Sequence, residues 1–100
     1  LHAALKWGDE AGLSLPDTLA TVTSRPVAVL GDALGSLASS AGRLAEGGVA
    51  DLCLFDPGPR VQLDPAALRS QSRHTPFAGH LMPGRVAATI VAGNVAHDAL

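Results

Sequence analysis

One hundred residues, 47% of them hydrophobic, make one small globular domain at most. A net charge of −2 with seven scattered Lys and Arg residues excludes the basic footprint that nucleic-acid phosphates require. No apolar run approaches the length of about eighteen residues that a membrane helix needs, no signal-peptide pattern opens the chain, and lone Cys53 excludes an internal disulfide and suits a reducing, cytoplasmic setting.

The chain opens at Leu1, with no Met and directly in a helical pattern, as a fragment of a longer protein would. Leu1, Ala4, Leu5 and Gly8 share one side of a helix, and Gly12 is its natural stop. Ser14-Leu15-Pro16-Asp17 begins a second helix, with Ser14 as cap and Pro16 where an N–H would be unpaired. Leu15, Leu19 and Val22 form its expected buried stripe. Ser24-Arg25-Pro26 opens a third short helix that runs to Leu30 and stops at Gly31. Residues 32–41 are small and weakly patterned, and read as a flexible surface loop.

Leu52 to Phe55 is an apolar run between Asp51 and Asp56. Its lack of polar alternation predicts a strand covered on both faces, with Cys53 an inert core thiol. Asp56-Pro57-Gly58-Pro59 reads as a strong stop, with a separate short strand at Val61-Gln62-Leu63. Asp64-Pro65 caps a helical turn. Residues 69–80 are irregular and polar, and Pro83-Gly84 turns the chain. Arg85 to Ala92 is the clearest strand, with Val86, Ala88 and Ile90 facing one way. Gly93-Asn94 fits a two-residue hairpin turn, and Val95 to His97 returns antiparallel. Helices followed by strands make the class α+β. Only Trp7, Phe55 and Phe77 are aromatic, so the apolar area comes mainly from Ala, Val and Leu. A chain this small is expected to lean on a neighbouring domain.

The residues offer little chemistry. His2, His74, His80 and His97 show none of the close spacings that place two ligands on one metal. His74 and His80 lie in one loop and read as loop histidines. Asp51 and Asp56 bracket a strand, where carboxylates cap turns more often than they work as an acid–base pair. Ser70, Ser72 and Thr75 have no identifiable acid–base partner. Gly42, Gly47 and Gly48 are not a phosphate loop, because no Lys-Ser/Thr follows and a strand comes next. No catalytic, cofactor-binding or metal-binding residue is therefore assigned.

Two stretches carry a resemblance. Gly42-x-Leu44-x-x-Gly47-x-x-Ala50-Asp51-Leu52, followed by Asp56-Pro57, resembles the segment by which amidohydrolase-superfamily enzymes leave their barrel for a small β-domain. Thr75-Pro76-Phe77-x-Gly79 with Gly84-x-Val86-x-x-Thr89-Ile90-Val91-x-Gly93 is similar to the C-terminal signature of dihydroorotases. The resemblance implies that residues 1–31 correspond to the last barrel helices, 32–41 to an inserted loop, and 42–100 to the C-terminal part of a composite β-sandwich whose sheet has an edge awaiting partners. It implies a parent that interconverts carbamoyl-aspartate and dihydroorotate with zinc, the ligands lying upstream of Leu1. The implied partners are the rest of the parent chain, further copies in a homo-oligomer, and aspartate carbamoyltransferase. Arg25 and His74 stand where the family usually has Asn, which marks a divergent member. Two alternatives follow: a non-catalytic scaffold subunit of aspartate carbamoyltransferase, and a hydantoinase-like or allantoinase-like hydrolase.

Overall fold

The computed structural model describes residues 1–100. Three short helices lead: α1 (His2–Glu10), α2 (Leu15–Ala20) and α3 (Ser24–Leu30). An antiparallel sheet follows, built from β1 (Leu52–Gln62), β2 (Leu81–Val91) and β3 (Asn94–Asp98) in the order β1-β2-β3. The α+β class expected from the sequence is the class observed.

The helix ends obey local rules. Ser14 Oγ accepts the Asp17 N–H at 3.3 Å, and Gly12 at φ 73° donates its N–H to the Asp9 carbonyl. Asp64 accepts the Ala66 N–H at 2.9 Å and starts the 3-10 turn Pro65–Ala67. The expected stripe of α2 is not the face that docks. Leu15 and Val22 are exposed, and Thr18 is the buried residue. Gly8 of α1 decides this. A Cβ there would stand 2.1 Å from Thr18 Oγ1, so α2 settles Thr18 into the gap that glycine leaves. The Thr18 hydroxyl donates to the Ser14 carbonyl at 2.9 Å, which satisfies it where it is buried.

Residues 32–41 lie on the surface as expected, but they are not irregular. Gly31–Ser39 winds into 3-10 turns kinked at Gly35. The kink at Gly35, at φ 59°, divides the segment into two short pieces, the length at which 3-10 winding is common. The excursion from α3 onward closes on itself. A Cβ on Gly42 would lie 2.8 Å from the Thr23 carbonyl oxygen, so the chain returns to where it left.

The sheet departs from the sequence reading in four ways. Asp56-Pro57-Gly58-Pro59 does not stop β1, because the partner strand runs on. Asp56 pairs with Arg85 and Arg60 with Pro83, so three residues of β1 bulge opposite Gly84 alone. β1 is an edge strand, which tolerates prolines that cannot donate to a ladder. The expected turn at Pro83-Gly84 is likewise a kink inside β2, with Gly84 at φ 92°. The single apolar face of Val86, Ala88 and Ile90 is broken. Leu54 pairs with Ala88 and Phe55 with Val86, which leaves Ala87 as a bulge and puts Val86 and Ala88 on opposite faces. Finally, the hairpin turn is Ala92-Gly93, flanked by the pair Val91 and Asn94, and not Gly93-Asn94.

The kink at Pro83-Gly84 is the seat of α1. The His2 ring donates from Nδ1 to the Pro83 carbonyl at 3.0 Å, and Leu5 lies where a Cβ on Gly84 would be only 2.6 Å from its Cδ1. The core is small and sits here, with Leu5, Met82, Pro83 and Gly84 buried and Ala88 further along β2. Leu52 to Phe55 is not covered on both faces. Leu54 is 44% exposed, and Leu52 and Phe55 are half-buried. The physical reason is layering: β1 is an edge strand, and α1, the helix that docks on the sheet, packs on β2.

Candidate functional site

The residues with chemical potential are spread over the molecule. His2 is spent on α1, His97 stands on β3 opposite Thr89, and His74 and His80 lie exposed in the loop before β2. His80 sets its ring edge-to-face with Phe77, with centroids 6.2 Å apart. No three His, Cys, Asp or Glu side chains gather closely enough to hold a metal ion. These residues alone do not fit a zinc centre, and no chemical step is assigned to them.

Both aspartates accept backbone N–H groups where the chain bends. Asp56 Oδ1 accepts the Gly58 N–H at 2.9 Å and shapes the bulge. Asp51 Oδ1 accepts the Ala92 N–H at 2.8 Å. Ser72 and Thr75 accept the N–H groups of His74 and Phe77, both at 3.2 Å, in local side-chain turns. Cys53 corrects the reading of it as a core thiol: it is exposed, because the edge strand that carries it has no layer above.

The loop that holds His74 and His80 is nonetheless well fastened. At its base the Gly79 N–H donates to the Leu63 carbonyl at 2.8 Å and the Leu63 N–H to the His80 carbonyl at 2.9 Å. Gln62 Nε2 adds a bond to the Gly79 carbonyl at 3.2 Å, and the Arg73 guanidinium ties the loop to the Ala66 and Leu68 carbonyls. Each of these uses a polar group to hold backbone.

A crevice beside α1 is not revealed by the sequence. It lies between α1, the start of α2 and the bulge of β1, is open to solvent with a volume of about 210 Å³, and has Leu5, Leu13, Thr18, Pro57 and Pro83 in its walls. At its rim Arg60 and Asp9 approach to 3.8 Å, both well exposed. An ion pair so solvated contributes little to binding or stability. No sequence signal could have found this crevice, since its walls are brought together by the seating of α1 on the Pro83-Gly84 kink.

No protein-family model matches the chain. Individual relatives do. It is 37% identical over 97 residues to a dihydroorotase of Syntrophotalea carbinolica, which covers 97% of this chain and 21% of that protein. It is 33% identical over 99 residues to a dihydroorotase of Anaplasma phagocytophilum, again 21% of that protein. A dihydroorotase-like protein of Pseudomonas aeruginosa is 40% identical over 86 residues, 18% of its length. The chain thus spans about one fifth of the length of the curated relatives it matches. Identity at this level, carried across nearly every residue of the chain, places it in the dihydroorotase family as the counterpart of a segment of those proteins.

Proposed function

We propose that the chain is the C-terminal structural portion of a dihydroorotase-like amidohydrolase, built from the last barrel helices and part of a composite β-sandwich. The parent interconverts carbamoyl-aspartate and dihydroorotate by cyclic amide hydrolysis. Its zinc site is formed by residues outside these 100, and this segment supports folding and assembly in a cytoplasmic homo-oligomer.

The observation that carries this reading is the surface. The chain exposes 7016 Å², against about 5,300 Å² expected of a folded monomer of its mass. The excess, about 1,700 Å², is as large as a generous interface between domains. Its radius of gyration is 14.8 Å, where a compact domain of this length has about 13 Å. The surplus is apolar in part: Leu54, Val91 and Val95 of the sheet and Trp7, Val29 and Leu30 of the helices are all exposed. Such a surface fits a segment whose covering layer belongs to the rest of its parent.

A second reading stands beside it, since one relative, the protein of Pseudomonas aeruginosa, is named only as dihydroorotase-like. On that reading the parent is a non-catalytic scaffold for aspartate carbamoyltransferase. The full-length parent decides between them. Purified with its metal content measured, it is expected to form dihydroorotate from carbamoyl-aspartate and to hold zinc. A parent with neither activity nor metal that co-purifies with aspartate carbamoyltransferase supports the scaffold. A 100-residue piece that alone folds compactly and binds zinc overturns both.

A further inference from the structure

We draw no further inference here: the strongest candidate, the crevice between α1, α2 and the Pro57–Pro59 bulge of β1, contains one buried polar side chain, Thr18, whose hydroxyl is already spent on the Ser14 carbonyl, and nothing in the structure shows what fills it.

Discussion

The Asp51 carboxylate accepts the Ala92 N–H at 2.8 Å, joining residues 41 positions apart. Beside it the Gly93 N–H donates to the Ala50 carbonyl at 3.0 Å. The entry to β1 thereby holds the turn between β2 and β3. The two stretches that carry the family resemblance meet at this point, one supplying Ala50-Asp51 and the other Ala92-Gly93. Ala92 is the only non-glycine residue with positive φ, at 49°, a conformation that costs an L-residue about 1–2 kcal/mol. The carboxylate helps to hold it there.

Asp51→Ala removes that acceptor. In the full-length parent it is expected to lower stability by about 1–2 kcal/mol, the range for a hydrogen bond to a charged group with partial solvent compensation. Asp51→Asn keeps an acceptor oxygen and should lose less. Urea unfolding of the three proteins checks this, and equal midpoints would show that the bond holds nothing.

The turn itself makes a paired prediction. Gly93 sits at φ 81°, so Gly93→Val should cost about 1–3 kcal/mol. Ala92→Gly should do the opposite, relieving the strained alanine and raising stability by up to about 1 kcal/mol after the entropy cost of glycine. Melting temperatures that move in the same direction for both would mean that Ala92-Gly93 is not the turn.

Gly8 and Thr18 form a double-mutant cycle. Gly8→Ala places a Cβ against Thr18, and overpacking of this kind costs about 1–3 kcal/mol. Thr18→Ala empties the space, so the double variant should recover part of the loss. Strict additivity of the two changes would mean that α1 and α2 do not meet here.

The uncovered sheet separates two classes of apolar residue. Met82 is 1% exposed, and Met82→Ala should cost about 2–5 kcal/mol. Leu54 is 44% exposed within these 100 residues, yet in the parent Leu54→Ala is expected to cost a comparable amount, because the proposed covering layer buries it. A loss below about 0.5 kcal/mol, as for an ordinary surface site, would leave that face open in the parent.

His74 tests the assignment of a supporting role. It is exposed, and its backbone N–H is held by Ser72. In an active parent, His74→Ala should leave turnover within about twofold, and His74→Asn, the family's usual residue, should match it. A drop of about a hundredfold at unchanged melting temperature would make the loop a source of general acid or base.

What the chain's local chemistry determined, the sequence alone could state. Caps and stops are short-range events: Ser14 and Asp64 bond backbone two or three residues on, and Gly31 ends α3. Class and family were legible for a related reason, since both follow from the order of short patterns. That Asp51 would cap a turn was legible too, though its distant partner was not, and Asp56 holds a bulge inside β1 where the sequence suggests a strand end. Tertiary structure decided everything that depends on a neighbour across the fold. Pro57 to Pro59 became a bulge because β2 continues past them, and Cys53 and Leu54 became exposed because β1 is an edge. Thr18 was buried, and not Leu15, because a glycine on α1 leaves room for it. Apolar runs say that a residue seeks cover; only the layers present in the fold say whether it finds any, and here the layer that β1 seeks lies outside these 100 residues on the reading proposed above.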